Sequence, residues 1–249
     1  MLPLHSGPPR SDASAAPTTD VASEDPAWTR RRRDSRVEIA AAIVLLAATG
    51  VGGVCFAHGT RPSWLDTWFP SFIGSGHRSV LTDVTALRYP LVIVIGAVGV
   101  AAIAFPRDRL RALACLVGPP LALVTSELVI KPWVGRTLGG GLSYPSGSTV
   151  GASALGTALV LAVPVRRRTV AVVAASAYAL WMAVAVVSLQ WHYPTDAAAG
   201  LAYGTGVVLL LDGVACRVVD VIGRHRPAGS PPRWFIPTAV RADPPADGG

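Results

Sequence analysis

Two short polar segments interrupt an otherwise apolar chain, and both hold side chains suited to handling a phosphate. The first reads Lys131-Pro-Trp-Val-Gly-Arg136, crosses a glycine-rich turn, and ends in Tyr144-Pro145-Ser146-Gly147-Ser148-Thr149 ahead of an apolar stretch. A Pro-Ser-Gly turn entering a helix offers free backbone N–H groups, a hydroxyl and the positive end of a helix dipole, which together suit an anion. Lys131, the single lysine among 22 basic residues, and Arg136 add two cations, the Arg able to grip phosphate oxygens in pairs. Taken alone, Pro-Ser-Gly before a helix equally describes an ordinary cap.

The second segment reads Trp191-His192-Tyr193-Pro194-Thr195-Asp196 and also opens an apolar stretch. A carboxylate at Asp196 hydrogen-bonded to one ring nitrogen of His192 would fix the tautomer and leave the other nitrogen free as a nucleophile. The plain alternative is an interfacial histidine with Asp196 capping a helix. Neither segment carries metal-ligand spacing. Cys55, Cys115 and Cys216 lie in or beside apolar runs without a CxxC, which gives no disulfide framework and no zinc site.

The elements that must carry these segments are membrane helices. Of 249 residues, 51% are hydrophobic and 15% charged, against about 25% charged in ordinary soluble domains. Six apolar runs are expected to cross the bilayer, at Val37–Ala57, Tyr89–Phe105, Ala112–Ile130, Thr149–Val165, Thr169–Leu189 and Ala197–Leu211. The fold class that follows is an all-α polytopic bundle of six transmembrane helices over residues 37–216. Residues 1–36 and 217–249, rich in Ser, Pro, Arg and Gly, read as disordered tails. No room remains for a second globular domain.

Charge sets the expected orientation. The net charge of +7 does not spread along one face as nucleic acid binding requires; 17 of the 22 basic residues fall in the two tails and in the connections at 106–111 and 166–168. Both termini are therefore expected in the cytoplasm and both polar segments outside, in a multi-pass plasma-membrane protein. Trp64, Trp68 and Phe69 suit an interfacial segment, Gly96 with Gly99 and Gly200 with Gly204 suit close helix packing, and Pro119-Pro120 should kink the third helix.

Taken in order, the motifs resemble the type 2 phosphatidic acid phosphatase superfamily, which also includes vanadium haloperoxidases. Its pattern KxxxxxxRP, PSGH and SRxxxxxHxxxD is matched at Lys131, Pro145-Ser146-Gly147 and His192 with Asp196. The resemblance implies hydrolysis of a lipid-linked phosphate or a polyprenyl-type diphosphate. Lys131, Arg136, Ser146, Gly147 and Ser148 would bind phosphate, His192 would form a phosphohistidine, and Asp196 would orient it. It implies no cofactor and no metal, since cations and amides take the charge.

Three positions depart from the pattern. The first-motif Arg-Pro falls on Leu138-Gly139, with Arg136 two residues earlier as the substitute. The arginine six residues before the nucleophile is Val186, and the PSGH histidine is Ser148. That histidine is the family's general acid, and losing a positioned acid costs about 10² to 10⁴ in rate. His77, in a Ser75-Gly76-His77 echo of the motif, and His58 are possible surrogates. Glu127, an acid inside an apolar run, should face a polar neighbour or the site, because a charge at a helix centre costs about 2.5–3.5 kcal/mol. The alternative to a phosphatase is an impaired relative that binds or moves anionic phospholipids; a haloperoxidase would need the complete anion-binding set.

Overall fold

The computed structural model describes residues 26–68, 81–82, 85 and 89–224. Of the tails expected at 1–36 and 217–249, residues 26–36 and 217–224 are helical instead, and 1–25 and 225–249, together with Phe69 and His77, lie outside the described residues. The chain is an all-α membrane bundle, and six long helices are found among the described residues: α1 (Pro26–Phe56), α2 (Pro90–Ala104), α3 (Arg109–Thr125), α4 (Gly147–Ala162), α5 (Val165–Ser188) and α6 (Pro194–Arg224). Helix α3 continues through a π-helical turn, Ser126–Ile130, and one further α-turn, Lys131–Val134. A two-residue antiparallel ladder, Thr137–Leu138 with Gly141–Leu142, closes the glycine-rich turn. Gly139 and Gly140 supply the positive φ that this reversal needs.

By length and composition α1, α3 with its extension, and α5 can cross a membrane, while α2 and α4 are shorter apolar helices. Helix α6 runs through the middle, lying along α1, α3, α4 and α5. Its glycines explain how closely it is held. A Cβ at Gly200 would collide with Thr149 and the Ser146 carbonyl, and one at Gly204 with Ser153 and the Val150 carbonyl. Gly96 lies against Leu155 in the same manner, but nothing stands within 4 Å of a Cβ at Gly99, which takes no part in packing. The core is correspondingly made of small residues, Ala101, Ala104, Ala122, Ala154 and Ala158 among them. With lipid outside as apolar as the core, close van der Waals approach is what holds such helices together.

Two expected boundaries move. Helix α1 starts at Pro26 rather than Val37, so the arginine run is helical, and Arg31 is buried at 7% exposure. The cause is Asp212, fully buried in α6, which receives both Arg31 Nη atoms at 2.7 and 2.8 Å and Arg111 at 3.2 Å. Glu38 and Asp108 complete the cluster around these two arginines. A carboxylate inside the bundle requires such partners, and they draw the start of α1 in with it. Arg166–Arg168, expected as a connection, form the first turn of α5. Pro119 and Pro120 both lie inside α3.

Candidate functional site

The end of the bundle away from the Arg31 cluster carries a cavity of about 310 Å³ lined by Leu123, Glu127, Lys131, Leu138, Gly141, Leu142, Gly147, Ser148, Trp191 and His192. Three local features assemble it. The extension of α3 delivers Lys131, the start of α4 delivers Gly147 and Ser148, and the turn between α5 and α6 delivers His192. Four of the seven expected site residues thus meet: Lys131, Gly147, Ser148 and His192.

His192 is aimed by a backbone group. Its Nδ1 lies 2.8 Å from the Ser143 carbonyl oxygen, which can only accept, so the neutral ring donates from Nδ1 and keeps a bare lone pair on Nε2. Burial first, and the Lys131 cation second, pull its pKa down from 6.5 to about 4, against the opposing pull of the Ser143 carbonyl. The imidazole is neutral at physiological pH, the state a nucleophile needs.

Asp196 and Arg136 are not where the motif reading put them. Asp196 Oδ2 accepts the Tyr193 N–H at 3.0 Å, and Oδ1 lies 2.6 Å from Arg136 Nη1; the partner of the His192 ring is Ser143 instead. Arg136 is 1% exposed and does not line the cavity. Its Nη2 meets Asp66 Oδ2 at 2.7 Å, its Nη1 also reaches Thr195 Oγ1 at 2.7 Å, and its guanidinium lies between the Phe56 and Tyr193 rings at 4.4 and 4.3 Å. Both Nη groups are thus committed to carboxylates and both faces to rings; of its donors only Nε, buried, lacks a partner among the described residues. Ser146 is also off the cavity: fully buried, it donates its backbone N–H to the Asp196 carbonyl, and its hydroxyl has no partner.

Sequence reasoning missed Asp66. It begins a short 3-10 turn in the segment after α1, accepts from the Ser63 N–H and hydroxyl, and accepts from the Thr195 N–H and hydroxyl on Oδ1. Burial alone would push its carboxyl up, but the hydrogen bonds from Ser63 and Thr195 outweigh it and hold the pKa at about 2. Asp66, Arg136 and Asp196 together tie three distant segments behind the cavity. No motif marks Asp66; an acid in the loop after the first helix was its whole signal.

The departures also find their places. Val186, where the family pattern has an arginine, is fully buried in a cluster with Ala152, Ala179, Met182 and Ala197. His58 does not line the cavity; its ring lies where a Cβ on Gly135 would collide with it, a space that glycine leaves free. Glu127 does face the site, with Lys131 Nζ 2.8 and 2.9 Å from its two oxygens.

No curated protein matches the chain. Among solved structures it is similar to a transmembrane PAP2 type phosphatidylglycerolphosphate phosphatase from Bacillus subtilis, at 21% identity and a TM-score of 0.46, over 80% of this chain and 98% of that one. The family model described as PAP2 superfamily matches residues 37–213, which include every residue of the cavity, and this protein therefore belongs to the PAP2 superfamily.

Proposed function

We propose that this protein is an integral membrane phosphatase that hydrolyses a lipid-linked phosphate or diphosphate at the extracytoplasmic surface, through a phosphohistidine on His192. Family membership supports membrane phosphatase chemistry in general. The observation that carries the finer reading is the meeting of a cation, a helix start and a bare imidazole nitrogen on one cavity: Lys131, Gly147 with Ser148, and His192.

The phosphoryl oxygens lie between Lys131 and the first N–H groups of α4, where charge developing on them is stabilised by groups already in position. His192 Nε2 attacks phosphorus, and water then releases inorganic phosphate from the imidazole. Arg136 and Asp196 act from behind, holding the turn that presents His192. Leu123, Leu138, Leu142 and Trp191 give the cavity apolar walls for the first part of a lipid chain.

Orientation follows from charge. Arg31–Arg33, Arg107, Arg109, Arg111 and Arg166–Arg168 belong to the helix ends remote from the cavity, with 26 residues of helix, about 39 Å at 1.5 Å per residue, between Arg109 and Val134. The arginine-rich end faces the cytoplasm by the positive-inside rule, which puts the cavity outside.

The test is phosphate release by the purified protein in detergent, offered polyprenyl diphosphate, phosphatidate and phosphatidylglycerophosphate side by side. Release from at least one, lost in His192→Ala, is the expected result. Vanadate binding without release from any of them would favour the second reading, a silent binder of anionic lipids, for which Ser148 in place of an acid is the specific motive.

A further inference from the structure

A phosphate ester does not leave as a bare alkoxide at useful rates; the departing oxygen needs a proton from a positioned donor. Four groups on the cavity carry protons to give. The Nδ1–H of His192 is committed to Ser143. Lys131 is the cation the phosphate requires, and a serine hydroxyl at Ser148 does not ionise near neutral pH. The fourth is Glu127, the only carboxylic acid among the described lining residues.

Where its carboxylate sits is informative. Both oxygens are within 2.9 Å of Lys131 Nζ, and Oε1 stands over Gly147 so closely that a Cβ there would collide with it. Gly147 is the first residue of α4, whose N-cap Ser146 gives no side-chain cap hydrogen bond. A carboxylate between a lysine and an uncapped helix start occupies the position an anion takes. It is also displaceable, being 41% exposed at the side chain and carried on the π-helical turn rather than on regular helix.

Resting on the phosphatase reading above, we propose that Glu127 is the proton carrier of this site and fills the phosphate position while the site is empty. An entering phosphate takes over Lys131 and the α4 start, and moves the carboxyl aside. The phosphate group enters as its monoanion and passes its proton to the carboxylate it displaces, so that two bare anions do not stand side by side. His192 Nε2 then forms the N–P bond while the P–O bond to the leaving group breaks; its electron pair stays on the leaving oxygen, which takes the Glu127 proton. In the second step the Glu127 carboxylate takes a proton from water, the water oxygen bonds to phosphorus, and the N–P electron pair returns to Nε2. Inorganic phosphate then leaves as its monoanion with that proton, and the Glu127 carboxylate returns to Lys131 and the α4 start. A plain helical ion-pair partner of Lys131 would also tighten anion binding when neutralised, but it would leave the ratio of monoester to diphosphate turnover unchanged, so turnover is the readout that separates the two roles.

The experiment is Glu127→Gln in the full chain in detergent, with inorganic phosphate and vanadate as binding probes and a phosphomonoester lipid and a diphosphate lipid as substrates. Expected are tighter vanadate binding together with monoester turnover lower by about 10²-fold or more, a smaller loss on the diphosphate, whose leaving group needs less protonation, and partial recovery of monoester turnover in Glu127→Gln with Ser148→His. Glu127→Asp, which keeps the acid, should retain more turnover than Glu127→Gln and is the variant to use should the latter not accumulate. Weaker vanadate binding in Glu127→Gln, or monoester turnover unchanged while His192→Ala abolishes it, would overturn the assignment of Glu127 alone. No His192-dependent release from the wild type on any substrate would overturn the phosphatase reading and the proposal with it.

Discussion

The Ser143 carbonyl oxygen lies 2.8 Å from Nδ1 of His192, so a main-chain group does the orienting that the motif pattern assigns to a carboxylate. A carbonyl fixes the tautomer as well as a carboxylate does, but it adds no negative charge to stabilise an imidazolium. Burial first and the Lys131 cation second bring the ring down to about 4, and the Ser143 carbonyl opposes them only in part.

The pH dependence follows with a definite sign. The folded-state value for His192 lies below the ordinary 6.5, so the unfolded chain binds the proton more readily between about pH 6.5 and 4, and the histidine's contribution to stability falls as pH drops through that window. The ring stays mostly neutral until the pH nears 4. NMR of a ring-labelled histidine at position 192 should show Nδ1–H at pH 6 with no protonation of Nε2 until near pH 4; a midpoint near 6.5 would contradict this.

Binding of phosphate should rest on the sole lysine. Lys131→Ala is expected to weaken vanadate binding by about tenfold or more, the loss of a charge-assisted hydrogen bond. Arg61→Ala, at an exposed position off the cavity, should leave it unchanged. Isothermal titration in detergent checks both, and equal losses would mean that the phosphate lies elsewhere.

Arg136 should behave as a lock rather than as a ligand. Removing it leaves Asp66 and Asp196 buried and uncompensated, a loss of about 3–5 kcal/mol for a broken buried pair. Thermal unfolding of Arg136→Ala in detergent should show that loss, and Asp66→Asn a smaller one. The double variant should fall short of the sum, because the two side chains share one interaction.

The opposite end of the bundle offers the matching control. Asp212→Asn strips the carboxylate from between Arg31 and Arg111 and should lower the unfolding temperature markedly. Activity per folded molecule should not change, since the cluster sits at the helix ends remote from His192. Altered KM in the folded fraction would show coupling between the two ends.

Sidedness is open to labelling. With the exposed Cys55 first replaced, a cysteine at Thr60 should react with a membrane-impermeant maleimide added to whole cells, and one at Arg107 should not. The reverse pattern would place the cavity in the cytoplasm.

The sequence by itself determined the six apolar helices and the order of the two polar segments between them, because bilayer thickness and backbone hydrogen bonding leave an apolar run of this length few other options. It also singled out Lys131, Gly147, Ser148 and His192 through residue types at particular spacings, and marked Glu127 as an acid that must face something polar. What it could not fix was which polar group each functional side chain faces. Arg136 and Lys131 are five residues apart and equally cationic, yet Gly135, in the left-handed region at φ 63°, turns the chain so that one lines the cavity and the other is sealed behind it. Ser143 aims His192 through a carbonyl, and every residue has a carbonyl, so no side-chain signature marks it. Asp66 reaches Arg136 across 70 positions and Arg31 reaches Asp212 across 181. Only tertiary packing brings those charges within hydrogen-bonding distance; for the second pair, Gly206 and Gly213 let α6 lie against Leu46 and Ile39 of α1, which sets Asp212 beside Arg31.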